Sequence, residues 1–237
     1  MQYPAPTGQY KICVNGGDKW SNHNVARLQI SVGKPKHEGA KLAAAIEWSS
    51  HRFDKTILII SDTLQRHNFI AEGLTSSEAY RRAKELGRNW IAKNIQTILN
   101  ANNEIEMTFW DDWLNHEHFC LQKHKIKKLY SQNIHFKHDI HLMAQKFSHK
   151  NNQNNNERMM YNQSIQYILE ELAAFSIMYS SQKALDIYPG DGVRHILLKL
   201  KDQFYESAPT SFMSYAGAKI DFTLNKNYKN QRTAEIA

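Results

Sequence analysis

The sequence predicts an α/β fold in which a mostly parallel sheet carries helices on both faces, built as one domain over residues 1–237. Three observations point there. Short apolar runs of strand length, Val25-Ala26-Arg27-Leu28-Gln29-Ile30 and Lys55-Thr56-Ile57-Leu58-Ile59-Ile60, alternate along the chain with longer stretches of helical spacing. The second run is almost continuously apolar, as a central strand covered on both faces must be. At the end of the first, Ser31-Val32-Gly33-Lys34-Pro35-Lys36 holds a hydroxyl in a glycine-containing turn before a helix. Strand, tight turn and helix form the unit from which α/β ligand sites are built.

The elements follow in order. Residues 1–22 read as an N-terminal segment. After the first strand, His37 to Trp48 has an apolar stripe of helical spacing, and the second strand stops at Ser61-Asp62-Thr63. Ser76 or Ser77 is expected to cap a long helix reaching about Leu99. Ile105 to Trp110 reads as a third strand whose end carries Asp111, Asp112 and Trp113. Helical patterns occupy roughly 115–148, and Asn151 to Asn156 is too polar to pack and reads as an exposed spacer. Residues 157–183 form the strongest helix, with Met160, Ile165, Ile168, Leu169, Leu172, Ala173 and Ile177 at apolar spacing. Leu185 to Tyr188 is a short strand stopped by Pro189-Gly190, Val193 to Tyr205 is the last helix, and 225–237 is a polar, flexible tail.

Composition narrows the function. A chain of 237 residues with 41% hydrophobic content can bury one substantial core. It contains no apolar run of membrane-spanning length and begins without a secretory pattern, so a cytoplasmic protein with no membrane partner is expected. Two cysteines, Cys13 and Cys120, are too few and too distant for a disulfide framework and read as small buried apolar residues. The formal charge of +7 favours a polyanionic partner. Arg81, Arg82, Lys84, Arg88 and Lys93 crowd one predicted helix, and Lys123, Lys125, Lys127 and Lys128 crowd another segment; either group is equally compatible with an ordinary solvated face. His116, His118 and Cys120 alternate, and His135, His138 and His141 recur every three residues, but no Cys-x-x-Cys accompanies them and no metal is expected.

The chemistry centres on Ser31. No Gly-x-Ser-x-Gly elbow surrounds it and no histidine–carboxylate relay is evident, which disfavours a conventional hydrolase and points to a substrate that is already activated. Tyr167 and Glu171 lie four residues apart on a helix, side by side, and a carboxylate beside a phenol can hold an ammonium group; the spacing alone favours instead a tyrosine at the core edge and a solvated glutamate. Tyr188 sits at another strand end, on the side of the sheet where ligands of open α/β folds bind. Arg27 and Gln29 alternate with Ser31, so the three share a face and predict at least one polar or acidic substrate group.

These residues resemble the tRNA-dependent cyclodipeptide synthases. The resemblance rests on Ser31-Val32-Gly33-Lys34 followed by His37-Glu38-Gly39-x-Lys41-Leu42, on Asp62-Thr63-Leu64-Gln65-Arg66-His67-Asn68, on Tyr167-x-x-x-Glu171 and on Tyr188-Pro189, and it spans most of residues 25–205. Lys34 and Pro189, where another branch has asparagine and histidine, resemble the branch whose signature is any residue, tyrosine, proline. The resemblance implies a Rossmann-like domain similar to the catalytic domain of class I aminoacyl-tRNA synthetases. It implies two aminoacyl-tRNA substrates, no cofactor, and a monomer. It further implies that Ser31 becomes acylated, that Tyr167 and Glu171 hold the aminoacyl ammonium, that Tyr188 relays protons, and that Gly33, Lys34, Pro189 and Asp191 surround the substrate, beside the Arg27 and Gln29 that strand alternation places there. Arg81, Arg82, Lys84 and Arg88 would meet tRNA phosphates. The chain has neither His-Ile-Gly-His, Lys-Met-Ser-Lys-Ser nor a phosphate loop, which argues against amino-acid activation. A noncatalytic tRNA-binding module of the same fold, or an acyltransferase using another donor, are the competing readings.

Overall fold

The computed structural model describes residues 8–15, 22–151 and 156–225. Its elements are β1 (Tyr10–Asn15), β2 (Val25–Ile30), α1 (Gly39–Ser50), β3 (Lys55–Ile60), α2 (Arg66–Ala71), α3 (Ser76–Leu99), β4 (Glu104–Phe109), α4 (Trp110–Leu114), α5 (Phe119–Gln132), α6 (Ile134–Asn151), α7 (Glu157–Ser181), β5 (Leu185–Tyr188), α8 (Arg194–Lys201) and β6 (Gly217–Leu224). The sheet order is β1-β6-β5-β2-β3-β4. Every neighbouring pair is parallel except β1 with β6.

Alternation along the strands builds the layers. Ile57 and Ile59 of β3 pack with α5, α6, α7 and α8 on one face, while Leu58 and Ile60 pack with Leu42 and Ile46 of α1 and Trp90 of α3 on the other. In β2, Ala26, Leu28 and Ile30 join the α1/α3 layer, so Arg27 and Gln29 face α7. Helix α7 is buried through Ile168, Leu172, Phe175 and Met178 because it has the sheet beneath it and α5 and α6 outside it.

From β2 the chain steps outward through β3 and β4, then returns through α4 to α7 to lay β5 on the other side of β2. The order therefore reverses between β2 and β5, and a crevice opens at their carboxyl ends. Ser31 follows β2 and Tyr188 ends β5, so the topology brings them together.

Several expectations are corrected. Residues 1–22 contain β1, whose alternating Tyr10, Ile12 and Val14 pair antiparallel with β6. Helix α3 is capped by Thr75, not by Ser76 or Ser77: Glu78 N donates to Thr75 Oγ1 at 3.3 Å and Thr75 N donates to Glu78 Oε2 at 3.1 Å. Trp110 leaves the third strand to open α4, and Phe109 N donates to Asp112 Oδ2 there. Helix α8 stops at Lys201 because Gln203 turns the chain at φ +54°, which sends the Tyr205 hydroxyl inward to Asp139. Helix α7 ends at Ser181, two residues short of the expected end. Cys13 and Cys120 are both exposed. Of the asparagine spacer, residues 152–155 lie outside the described residues, as do 226–237 of the tail.

Gly87 is where α3 touches the sheet end. A Cβ there would stand 2.6 Å from Cβ of Asp62, whose carboxylate is buried and accepts from Trp110 N at 3.1 Å. Neither atom can swing aside, so the backbones must separate. Gly87→Ala is expected to cost a net ~2 kcal/mol even after the ~1 kcal/mol that alanine gains in a helix. Thermal unfolding would show this as a fall of roughly 4–8 °C.

Candidate active site

Lys34 N donates to Ser31 O at 3.3 Å and His37 N to Lys34 O at 2.9 Å, closing the turn after β2. Gly33 supplies φ +77° in that turn, a conformation that strains any residue with a Cβ. The turn holds Ser31 Oγ at 3.3 Å from the Tyr188 hydroxyl. Tyr188 also packs on His37, ring centroids 5.3 Å apart. His37 is buried beside Lys36 and Lys34, and burial first, then these cations, lower it to about 4, so the ring is neutral.

Ser31, Gln29, Lys34, Tyr167, Glu171, Tyr188 and Asp191 all line one cavity, together with Gln65, Phe175, Asp186 and Arg194. Gln65 Nε2 donates to the Tyr167 hydroxyl at 3.3 Å, while Gln65 Oε1 accepts from Asn68 Nδ2 at 2.7 Å, which fixes the amide's orientation. Burial raises the Tyr167 phenol well above its ordinary value, with the Glu171 charge adding to it, so Tyr167 is a neutral donor. Burial likewise raises Tyr188, an effect the Ser31 hydrogen bond partly offsets.

The adjacent carboxyls of α7 are driven apart. Glu171 has its pKa pushed up to about 8 by burial. Glu170 is also buried, but it accepts from Arg66, from Trp110 Nε1 at 3.1 Å and from Lys123 Nζ at 3.3 Å, with His67 Nε2 at 3.5 Å. Burial would raise Glu170, yet His67 and Arg66 outweigh it and hold the group at about 2. Glu170 is thus a fixed anion that anchors α2, α4 and α5 to α7. Glu171, one residue on, is an acid free to exchange its proton near neutrality.

The remaining predicted residues fall around this cavity. Pro189 presents its carbonyl to Lys36 Nζ at 3.0 Å, and Gly33 stands against Leu86 of α3; neither lines the cavity, although their chain neighbours Gly190 and Lys34 do. Asp191 is exposed at the rim and paired with Lys219 at 3.0 Å. The expectation that Arg27 faces substrate is corrected. Its Nε lies 3.0 Å from Asp186 Oδ1, its Nη2 donates to Gln182 O and its guanidinium stacks 5.1 Å from the Tyr179 ring, so it is buried beneath the cavity. Asp186, which sequence reasoning missed, takes the place at the wall; its position two before Tyr188 on the same strand is the signal that could have found it. Glu170 was missed for a similar reason, since its partners Arg66 and His67 come from the distant Asp62–Asn68 stretch.

Helix α3 flanks the turn through Leu86 and exposes Arg81, Arg82, Arg88 and Lys93. Arg82 stacks 4.6 Å from the Phe69 ring. Lys84 differs: its ammonium donates to Asp111 Oδ2 at 2.8 Å, an oxygen it shares with the Tyr80 hydroxyl. Among the described residues no group of three His, Cys, Asp or Glu is arranged to hold a metal ion, and no helix is long and apolar enough to cross a membrane. His141 instead lies between the hydroxyls of Tyr130 and Tyr161.

Comparison with known proteins places this geometry. No curated protein matches the sequence significantly. Among solved structures, a cyclodipeptide synthase from Fluoribacter dumoffii is 20% identical and superposes with a TM-score of 0.78 over 91% of this chain and all of its own. The synthase of Candidatus Glomeribacter gigasporarum, solved bound to Phe-tRNAPhe, is 18% identical, with a TM-score of 0.65 over 85% of this chain and 88% of its own. A Mycobacterium tuberculosis protein whose structure relates cyclodipeptide synthetases to type I tRNA synthetases is 15% identical, with a TM-score of 0.64 over 94% of this chain and 97% of its own. These likenesses establish the fold as a Rossmann-like α/β architecture, a mostly parallel sheet covered by helices. The family model for cyclodipeptide synthases matches residues 18–207, and with that match over most of its length the chain belongs to the cyclodipeptide synthase family, enzymes that consume aminoacyl-tRNA.

Proposed function

We propose that the chain joins two aminoacyl-tRNA-borne residues into a diketopiperazine through esters of Ser31, as a member of the tyrosine–proline branch. The observation that carries this reading is the 3.3 Å approach of Ser31 Oγ to the Tyr188 hydroxyl in a cavity that Tyr167 and Glu171 also line. Ser31 Oγ attacks the ester carbonyl of the first aminoacyl-tRNA; its proton passes through Tyr188 to the departing ribose oxygen, and an aminoacyl ester of Ser31 forms. The amine of that ester then attacks the carbonyl of the second aminoacyl-tRNA, creating an amide and releasing the second tRNA. Finally the new terminal amine attacks the Ser31 ester, closing the ring and restoring the hydroxyl.

Glu171 suits the amine steps. An α-amino group titrates near 8, and a base works best when its own pKa lies close to that of the proton it takes. At about 8, Glu171 is matched to that task as an ordinary carboxylate is not. Ester exchange between two hydroxyls is nearly neutral in free energy and amide formation from esters runs downhill, so no ATP or other cofactor enters.

Purified protein should therefore make cyclodipeptide from charged tRNAs in the absence of ATP, and none from free amino acids with ATP. Product under the second condition would replace this reading with one of amino-acid activation. In this reading the exposed arginines of α3 receive tRNA phosphates, a long-range and salt-sensitive attraction. Arg81→Ala with Arg82→Ala should weaken binding of all tRNAs and lower the slope of log Kd against log salt by about 1 for each phosphate no longer neutralised. An unchanged slope would move the footprint off this helix.

A further inference from the structure

The wall of the cavity that continues from Ser31 down β2 is polar, and three of its buried polar atoms close no aligned hydrogen bond. Gln29 is 8% exposed and its Nε2, facing Asp186, closes no aligned hydrogen bond. Asp186 is 6% exposed; its Oδ2 accepts from the Tyr179 hydroxyl at 2.6 Å, but its Oδ1, beside Arg27 Nε at 3.0 Å, accepts no aligned bond. At the same end of the cavity Arg194 Nε is buried without a partner, with its guanidinium toward the Tyr215 hydroxyl. Polar groups removed from water are almost always paired, and an unpaired one is costly. Here one acceptor and two donors line the same cavity as the nucleophile.

We infer that this wall selects an aminoacyl residue whose uncharged side chain both accepts and donates hydrogen bonds, a carboxamide or a hydroxyl. The inference rests on the function proposed above and specifies its substrate. An aliphatic side chain would leave Gln29 Nε2 and Arg194 Nε buried without an aligned partner. A cationic one would meet the Arg194 guanidinium, and an anionic one would face the Asp186 carboxylate. A side chain with both an acceptor and a donor completes Gln29 Nε2 or Arg194 Nε on one side and Asp186 Oδ1 on the other. Sites built to bond a polar group reject analogues lacking it far more strongly than apolar pockets reject an extra methylene.

The test offers the full chain a tRNA pool charged with all twenty amino acids and identifies the cyclodipeptides by mass spectrometry, beside Gln29→Leu and Ser31→Ala. The expected result is Ser31-dependent product in which at least one residue is Asn, Gln, Ser, Thr or Tyr. In Gln29→Leu the ratio of such products to wholly apolar ones should fall roughly 10-fold or more, the loss of one hydrogen bond to a buried donor. That ratio is internal to each reaction, so it does not depend on how much of the variant folds. Ser31-dependent products carrying only apolar or only charged side chains, or an unchanged ratio in Gln29→Leu, would overturn the inference while leaving the proposed reaction standing. Absence of any Ser31-dependent cyclodipeptide would overturn both.

Discussion

Ser31→Ala is expected to abolish cyclodipeptide formation, with turnover falling roughly 10⁴-fold or more, while tRNA affinity changes little. The size follows from the role: both esters of the proposed cycle form on the same oxygen, so no later step can proceed without it, and loss of a covalent nucleophile is among the largest single effects in catalysis. The selectivity follows from the structure. Ser31 sits at the end of β2 with its hydroxyl directed to Tyr188, whereas Arg81, Arg82 and Arg88 of α3 are exposed and make no contact with it. Removing one oxygen leaves the turn intact, because its hydrogen bonds run between backbone atoms. Single-turnover assays with charged tRNA, read beside tRNA binding, separate the two. Appreciable turnover in the variant would mean that the amine of one aminoacyl-tRNA attacks the other directly.

Glu171→Gln should show the second large effect, and in opposite directions for activity and stability. Burial raises the carboxyl from 4.5 to about 8 in the folded protein. A group whose folded pKa lies above its unfolded value favours the folded state fully below the unfolded value, and that favour is lost as pH rises through the folded one. The wild-type protein should therefore lose stability between pH 4.5 and about 8 through this residue. Glutamine cannot ionise, so the variant should lack that component and exceed the wild type by a few kcal/mol, as an order of magnitude, at pH 8 and above. Turnover should fall by about 10²–10⁴-fold, the usual worth of a positioned general base. Denaturation across this pH range, with a carboxyl NMR titration near 8 present only in the wild type, would check both. A stability curve of unchanged shape would mean that Glu171 ionises in the folded protein at its ordinary pKa.

The stability cost at Glu171 and the unpaired groups at Gln29 and Asp186 lie in the same cavity, where function tolerates what a core would not. By contrast, Glu170 and Asp111 each gather several donors. Two adjacent glutamates of identical chemistry thus acquire opposite proton affinities from their neighbours alone.

What the sequence makes legible is local. The bounds of β2, β3 and β5 follow from short apolar runs ended by turn residues, and Ser31 and Tyr188 stand out because they occupy the ends of such runs. Tyr167 and Glu171 share a helix face by spacing. What stays hidden depends on partners far along the chain. The edge pair β1–β6 joins Tyr10 to Leu224, and nothing in either segment names the other. Alternation places Arg27 on the Ser31 face correctly, but whether it reaches substrate is decided by Asp186, which engages it beneath the cavity. Lys84 reads like its neighbours Arg81 and Arg82 until Asp111 takes its ammonium. The exposed cysteines have the same origin: Cys13 lies on the edge strand β1, one position from the residues that face the core.

The covalent step is tested most directly by mixing the protein with a single charged tRNA, quenching in acid within the first turnover and measuring intact mass, followed by peptide mapping. The mechanism predicts a mass increase of one aminoacyl group, mapped to the peptide carrying Ser31 and absent from Ser31→Ala. An adduct on another residue, or cyclodipeptide accumulating while the protein stays unmodified at every quench time, would contradict it.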